Sequence, residues 1–215
     1  QVWGCGRDGE RLQALAHEGI TPLQFDARDS AAMAEVAAGL PTLDLLILNA
    51  GNCEYMDVAE GFDSALFARV IETNLVATGH TLAAFLPRLA AGSRLAIVSS
   101  SVSWLPLPRA EAYGASKAAL DYLAATLRLD LAALGIGVTL IRPGFVQTPL
   151  TAKNDFPMPC LVTVEEASRA IMGGLAAGRH QIHFPRRFIW LLRLLGALPT
   201  GLWLRLGRTL VSKGR

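Results

Sequence analysis

The feature that most constrains the fold is a regular alternation of short apolar runs with helix-length amphipathic segments. Short apolar runs are typical of buried strands, and parallel strands require crossover connections, usually helices. Strands are predicted at Ile20–Phe25, Leu43–Leu48, Arg94–Ser99, Ile136–Ile141 and His180–Phe184. Helices are predicted near Gly9–His17, Ser30–Ala38, Phe62–Leu89, Ala110–Leu134 and Val164–Ala177. The sequence therefore predicts an α/β fold with a doubly wound parallel sheet.

The composition agrees with one globular enzyme domain. The chain has 215 residues, 52% hydrophobic and 18% charged, which excludes a disordered polypeptide. Cys5, Cys53 and Cys160 are odd in number and lack a zinc-type spacing, so we expect reduced thiols and a cytoplasmic location. His180 and His183 lie in a predicted strand with no carboxylate or cysteine nearby, so we expect no metal.

A tyrosine and a lysine indicate proton-transfer chemistry. Tyr113 and Lys117 are four residues apart in a predicted helix and therefore share one face. Ser100 follows the apolar run Leu95–Val98, so the end of a strand can bring its hydroxyl to the phenol. A free tyrosine has a pKa near 10, and an ammonium beside it lowers that pKa. Tyr-x-x-x-Lys pairs are also common on solvated helix faces, so the rest of the chain must decide.

These residues form part of a longer pattern that resembles the short-chain dehydrogenase/reductase family. Leu95–Leu120 is similar to that family's strand, catalytic serine, loop and Tyr-x-x-x-Lys helix. Leu48-Asn49-Ala50-Gly51 resembles its Asn-Asn-Ala-Gly signature, with leucine in place of the first asparagine. Glu72–Leu75 resembles the segment with the catalytic asparagine, and Arg142–Thr148 resembles the Pro-Gly-x-x-x-Thr stretch. The resemblance covers residues 1 to about 185 and implies a Rossmann-like NAD(P)-binding domain.

The resemblance implies hydride transfer between a nicotinamide and a carbonyl or alcohol carbon. It makes Tyr113 the general acid or base, with Lys117 lowering its pKa and Ser100 binding the substrate oxygen. Asn74 holds a helix bend and a water that links Lys117 to solvent. Ser99, Ser101 and Ser103 are the alternative serines. The implied cofactor contacts are Arg7, Asp26, Ala27, Asn49, Ala50, Gly51, Tyr113, Lys117, Pro143, Gly144, Val146 and Thr148.

The first nine residues allow two interpretations. Gly4–Gly9 reads G-x-G-x-x-G, with Asp26 at the distance of a ribose-binding acid. However, only three residues precede it, too few for the strand that this fingerprint must follow. We therefore favour Val2-Trp3 as the end of the family's second strand, with Arg7 just past that strand. On this interpretation the family's first strand and glycine-rich loop precede residue 1. The sheet is then incomplete, Ile20–Phe25 is separated from the later strands, and the 215-residue chain binds dinucleotide weakly.

Arg7 also indicates the cofactor. Where an NAD-preferring member of the family has an aspartate for the ribose 2′-hydroxyl, this chain has Gly6 followed by Arg7. A guanidinium binds a phosphate with two charged hydrogen bonds, so NADP(H) is favoured over NAD(H). The alternative is that Arg7 is an ordinary surface arginine.

Residues 186–215 are predicted to form an apolar, basic helical tail outside the 1–185 domain. From Arg179 to Arg215 there are eight Lys or Arg and no Asp or Glu. Phe188–Leu206 is mostly apolar, but arginines, a proline and a glycine interrupt it, which argues against a membrane-spanning helix. Three alternatives stay open: a peripheral segment in an anionic membrane interface, a cover over an apolar substrate entrance, and a helix docked on the subunit or its partner.

The sequence thus predicts an NADP(H)-dependent oxidoreductase that interconverts a hydrophobic ketone or aldehyde and its alcohol. Trp104, the Thr148–Cys160 loop and the tail favour an apolar substrate. Ala118–Leu134 is apolar nearly all round, so we expect a homodimer or homotetramer and no nucleic-acid partner. The alternative is a catalytically silent nucleotide-binding or membrane-associated scaffold of the same fold, against which the complete set of four predicted catalytic residues argues.

Overall fold

The computed structural model describes residues 1–212, with side chains described through residue 208. Its strands are β1 (Val2–Gly6), β2 (Ile20–Gln24), β3 (Leu43–Leu48), β4 (Leu89–Val98), β5 (Gly137–Pro143) and β6 (Gln181–Phe184). Its α-helices are α1 (Gly9–Ala16), α2 (Ser30–Ala38), α3 (Ser64–Ile71), α4 (Ala77–Phe85), α5 (Glu111–Ala132), α6 (Val164–Ala176), α7 (Arg186–Gly196) and α8 (Thr200–Ser212). The last three residues of the predicted tail lie outside the described ones.

The described strands form two parallel sheets. Strands β3, β4, β5 and β6 lie side by side in that order, whereas β1 pairs only with β2. The predicted separation of Ile20–Phe25 from the later strands is therefore confirmed. The predicted strand end at Trp3 is wrong, because Gly4–Gly6 continue the pairing with Pro22–Gln24. The G-x-G-x-x-G segment thus begins inside a strand and not in a phosphate-binding loop.

Strand β4 is the centre of the larger sheet and is covered on both faces. Leu95, Ala96 and Ile97 have no exposed surface. Leu95 and Ile97 belong to a core that includes residues of α2, α4 and α5, whereas Ala96 packs in a second core with residues of α6. A continuous apolar run is what a parallel strand with helices on both faces requires. The predicted doubly wound α/β fold is confirmed.

The predicted helix Phe62–Leu89 is divided in the structure. Asp63 caps α3 by accepting a hydrogen bond from the Leu66 backbone N–H. Glu72–Val76 then forms a π-helical segment before α4 begins at Ala77. Such segments are rare and are frequent at functional sites. The hydrophobic pattern predicted one helix because it continues through this insertion.

The tail folds back onto the rest of the chain as two helices. Phe188, Ile189 and Leu192 of α7 pack with Trp203 of α8 against Leu105. Docking on the subunit, one of the three alternatives, is what the structure shows. Within residues 1–212 no single helix is long and apolar enough to cross a bilayer, and α7 with the first part of α8 reaches that length and composition only as a pair bent by 117°. The domain boundary at residue 185 stays a prediction.

The central position of β4 generates a stability prediction. Replacing Ile97, which has no exposed surface, by alanine is expected to lower the free energy of unfolding by about 2 to 5 kcal/mol, because it leaves a cavity. Met172→Ala, at a position of α6 that is 54% exposed, should change it by less than about 0.5 kcal/mol. Urea unfolding of both variants tests this, and equal effects would contradict the assigned core.

Candidate active site

The predicted site residues lie at or just beyond the carboxyl ends of the strands, or on the helices next to them. Arg7 directly follows β1, and Asn49–Gly51 directly follow β3. Ser100 lies two residues past β4, and Pro143 ends β5. This edge is where open α/β sheets bind ligands. The distribution agrees with a single site built from several strand ends.

Asn74 ties the loop after β3 to helix α5. Its buried Nδ2 donates to the Asn52 carbonyl oxygen and to Ser116 Oγ, both at 2.9 Å. Its Oδ1 accepts from the Asn52 backbone N–H at 2.8 Å. Ser116 Oγ in turn donates to the Tyr113 carbonyl oxygen at 2.7 Å. Asn74 lies in the π-helical segment, and the sequence did not identify its partners Asn52 and Ser116.

Lys117 is a buried ammonium at the end of β4. It is only 4% exposed, and its Nζ donates to the Val98 carbonyl oxygen at 3.0 Å. Burial lowers the pKa of Lys117 to about 8, with Cys53 and Asp121 acting in the opposite direction. The amine is therefore still protonated in roughly nine of ten molecules at pH 7. Ser99 Oγ also binds the turn of α5 that carries Lys117, by donating to the Lys117 carbonyl oxygen at 3.0 Å.

Tyr113 is a neutral phenol next to Ser100. Burial raises the pKa of Tyr113 to about 12, and hydrogen bonding with the Ser100 side chain lowers that pKa by less. The net shift is upward, opposite to the predicted lowering, because desolvation outweighs any effect of the Lys117 ammonium. The Lys117 Nζ lies 5.8 Å from the phenol ring centroid and is directed to the Val98 carbonyl, so desolvation dominates. A neutral phenol at pH 7 is the form that donates a proton.

Trp104 is fixed by two arginines. The guanidinium carbon of Arg142 lies 4.9 Å from its ring centroid, and that of Arg193 lies 4.8 Å away. Arg142 Nε also donates to Asp121 Oδ2 at 2.8 Å, and both side chains are mostly buried. The indole therefore anchors the loop after Ser100 by cation–π contacts. That Trp104 favours an apolar substrate stays a prediction.

An aromatic wall that the sequence did not identify lies beside Tyr113. Tyr55 contacts Phe156 edge-on at 5.2 Å between ring centroids, and Phe156 contacts Phe145 in the same way at 6.1 Å. Burial raises the pKa of Tyr55, and the charges of Cys53 and Tyr113 and a hydrogen bond with Cys53 raise it further. The Thr148–Cys160 loop predicted to be near the substrate contributes Phe156. The sequence pattern did not indicate this wall, because its three rings are distant in sequence and come together only in the folded chain.

Arg109 links the Thr148–Cys160 loop to the segment before α5. Its Nη1 lies 2.9 and 3.0 Å from the two carboxylate oxygens of Asp155, the neighbour of Phe156. Its guanidinium carbon also lies 5.7 Å from the Tyr55 ring centroid. Arg109 has a positive φ of 64°, which is unusual for a residue other than glycine. The loop and the segment before α5 are thus joined across the aromatic wall.

The predicted 2′-phosphate contact Arg7 is exposed and weakly paired. Arg28 Nη2 lies 2.6 Å from Asp26 Oδ2, whereas Arg7 Nη1 is 3.8 Å from the same oxygen. Hydrogen bonds from Arg28 lower the pKa of Asp26 to about 2, and the charge of Arg7 adds a smaller effect. Ala27 lies between these two partners in the loop after β2. Arg28 therefore balances the Asp26 carboxylate and leaves Arg7 available to an anion.

Gly51, in the loop after β3, leaves an open surface next to the Lys117 ammonium. A Cβ on Gly51 would lie 3.2 Å from Asn74 Oδ1 and 3.4 Å from Lys117 Nζ, so glycine keeps this surface open next to the ammonium. Asn49 and Ala50 are also exposed. The donors available there, an ammonium and amides, suit ribose hydroxyls and a carboxamide.

The segment after β5 is held by a threonine that the sequence did not single out. Thr151 Oγ1 donates to the Val146 carbonyl oxygen at 2.6 Å and accepts from the Thr148 backbone N–H at 3.0 Å. The Gly144 backbone N–H donates to the Phe184 carbonyl oxygen at 2.7 Å. Val146, Thr148 and Gly144 are thus positioned by these hydrogen bonds, and their predicted cofactor contacts stay predictions.

Among the residues that the structure describes, no group of three or more His, Cys, Asp or Glu side chains could hold a metal ion. His183 lies in β6, where burial and four nearby arginines lower its pKa. Its ring contacts Trp104 edge-on at 5.8 Å between centroids. This histidine therefore belongs to the packing around Trp104.

Comparison with known proteins gives one family. The sequence profile described as short chain dehydrogenase matches residues 1–157. An uncharacterized oxidoreductase of Myxococcus xanthus is 34% identical, over 94% of this chain and 85% of that protein. A sulfoacetaldehyde reductase of Chromohalobacter salexigens is also 34% identical, over 68% of this chain and 62% of its own length. A short chain dehydrogenase of Burkholderia cenocepacia, solved in complex with NADP, is 26% identical with a TM-score of 0.84, over 96% of this chain and 86% of that one.

The burial of Lys117 predicts a pH dependence of stability. Its pKa is about 8 in the folded protein against an ordinary value of 10.5, so the unfolded chain binds this proton more tightly between those values. The free energy of unfolding should therefore rise with pH across that window by about 2 to 4 kcal/mol from this group. Lys117→Met should lack that rise, because methionine does not titrate. Urea unfolding of both proteins from pH 7 to 10.5 measures the difference, and a pH-independent difference would contradict the buried ammonium.

Proposed function

Because this chain belongs to the short chain dehydrogenase family of NAD(P)-dependent oxidoreductases, we propose that it reduces a hydrophobic ketone or aldehyde to its alcohol with NADPH, and catalyses the reverse reaction. The observation that supports this most is the neutral Tyr113 phenol held between Ser100 and the Lys117 ammonium. Such a phenol supplies the proton that a reduced carbonyl oxygen must gain. The similar proteins, an uncharacterized oxidoreductase and a sulfoacetaldehyde reductase, agree with this reaction class.

In the proposed mechanism the chain orients the carbonyl and supplies one proton. Lys117 and the exposed residues Asn49–Gly51 would hold a nicotinamide cofactor, which would supply the hydride to the carbonyl carbon. Ser100 donates a hydrogen bond to the carbonyl oxygen, and Tyr113 transfers its phenolic proton to that oxygen as the carbon–oxygen double bond becomes single. Lys117 then stabilises the phenolate that remains, since its ammonium is close to the ring. Oxidation of the alcohol runs through the same groups in reverse.

The aromatic wall supports an apolar substrate. Tyr55, Phe156 and Phe145 contact one another in series, and Phe145 also contacts Phe188 of α7 at 5.5 Å between ring centroids. Since Tyr55 interacts electrostatically with Tyr113, we infer that the substituents of a carbonyl bound at Tyr113 lie against these rings. Apolar walls with few polar groups are typical of small-molecule sites. We propose alcohols or ketones with a hydrophobic substituent as the substrate class.

The exposed face of α5 supports a homo-oligomer. Tyr122 and Leu129 are 76% and 77% exposed, and Leu134 just beyond the helix is 60% exposed. Large apolar side chains in such number on one helix are typical of surfaces that a partner covers. We propose that a second copy of the chain packs on α5, which size-exclusion chromatography with light scattering tests. A monomer at all concentrations would exclude it.

Activity with a panel of aliphatic, aromatic and polar carbonyl compounds tests the proposed function, with NADPH oxidation followed by absorbance. We expect the full-length gene product to turn over hydrophobic carbonyl compounds. Absence of turnover with every compound, in both directions, would favour the catalytically silent alternative.

Tyr113→Phe should lower kcat by at least about 100-fold and leave the Kd for NADPH within about twofold, because it removes only the transferable proton. Tyr122→Phe is the matched control, since the same change falls on an exposed position of the same helix. Turnover and fluorescence titration with NADPH measure the two effects. A near-normal kcat for Tyr113→Phe would refute its role as the proton donor.

Arg7→Ala should raise the Kd for NADPH about tenfold or more and the Kd for NADH less than twofold, because only the former loses a charged hydrogen bond. Arg11→Ala serves as the control, because Arg11 is also exposed and pairs only with the neighbouring Asp8 among the described ion pairs. Equal losses for both cofactors would show that Arg7 is an ordinary surface arginine.

A further inference from the structure

The C-terminal region combines positive charge with apolar exposure. From Arg179 to Arg215 it contains eight of the twenty Lys and Arg residues and none of the eighteen Asp and Glu residues. Arg186 and Arg187 at the start of α7 are exposed, as are Arg205 and Arg208 on α8. A region with this composition attracts anionic surfaces and repels a second copy of itself.

Helix α7 is apolar on two opposite faces. Its inner face is accounted for, because Phe188, Ile189 and Leu192 are buried against the core around Leu105. Ordinary surface helices carry charged and polar side chains on the opposite face. On α7 that face carries Trp190, Leu191 and Leu194 instead, which are 68%, 50% and 68% exposed. We call Arg186, Arg187, Trp190, Leu191 and Leu194 the α7 outer face.

The inner contacts hold this face in a fixed orientation. Trp203 Nε1 donates to the Pro106 carbonyl oxygen at 3.1 Å, which locks α8 to the loop after Ser100. Arg193 is held over the Trp104 ring. A Cβ on Gly196 would lie 3.0 Å from the Trp104 carbonyl oxygen, so α7 approaches that loop closely. The outer face therefore points away from the protein.

We propose that the α7 outer face binds the interface of an anionic phospholipid bilayer, with the helix axis parallel to the surface. Tryptophan favours the headgroup region, and leucines at helical spacing reach the acyl boundary from one side. Arg186 and Arg187 lie on the same face and complement anionic headgroups.

A second copy of the chain fits this face less well. A two-fold interface brings the same patch of both subunits together. It would place Arg186 and Arg187 of each copy near each other, and α7 contains no acidic residue to pair with them. Like charges that are buried together oppose association. An anionic bilayer satisfies the apolar and the basic residues at the same time.

Flotation of the full-length protein with vesicles tests the proposal. We expect it to float with phosphatidylcholine vesicles that contain phosphatidylserine and not with phosphatidylcholine alone, and to dissociate as salt is raised. Arg186→Gln/Arg187→Gln should weaken binding about 30-fold, from the loss of two basic residues near the surface. Trp190→Ser/Leu194→Ser should weaken it at least about tenfold, because it removes the inserting side chains.

Val164→Ser/Met172→Ser on α6 is the matched control, since it removes two apolar side chains that are 50% and 54% exposed elsewhere. It should float like the unchanged protein, and circular dichroism should show that all variants are folded. Absence of flotation with anionic vesicles, or equal flotation of the control and both α7 variants, would overturn the proposal. Loss of a dimer in Trp190→Ser/Leu194→Ser without vesicle binding would assign the face to a second copy and also overturn it.

Discussion

The buried Lys117 ammonium is the interaction on which the site depends. A charge removed from water is costly unless it is hydrogen-bonded, and Lys117 Nζ meets this requirement by donating to the Val98 carbonyl oxygen. This bond fixes helix α5 against the end of β4. It thereby sets Tyr113, one turn earlier on α5, beside Ser100, which follows β4. The buried part of strand β4 and the groups at its carboxyl end are therefore held together by the same contacts.

Asn74 imposes a second constraint on helix α5. Its amide makes three hydrogen bonds, two to the Asn52 backbone and one to Ser116, and the side chains of Asn74 and Ser116 are fully buried. The π-helical segment that carries Asn74 contains one more residue than a regular α-helix would need, because its backbone hydrogen bonds span five residues instead of four. The departure from regular helix is thus the place where the loop after β3 and helix α5 are joined. The helix thus departs from regular α-helical geometry at the residue whose side chain joins the two elements.

Much of this architecture follows from local pattern, and the remainder depends on contacts distant in sequence. Strand β3 and helix α2 have the predicted bounds because burial and capping are local signals. The π-helical segment was not predicted, because its cause is the distant Asn52 backbone. The pKa of Tyr113 was predicted with the wrong sign, because residue spacing places Lys117 on the same face but does not say that its amine turns to Val98. The aromatic wall was missed for the same reason.

The central claim is that this site moves a hydride between a nicotinamide and a carbonyl carbon while the chain moves the proton. Reduction of a hydrophobic ketone with NADPH deuterated at C4 of the nicotinamide, in each of its two configurations, tests it most directly. The account predicts that the deuterium of one configuration appears on the carbinol carbon of the product, and that the hydroxyl hydrogen comes from solvent through Tyr113. Product alcohol without deuterium at that carbon from either cofactor would contradict the account.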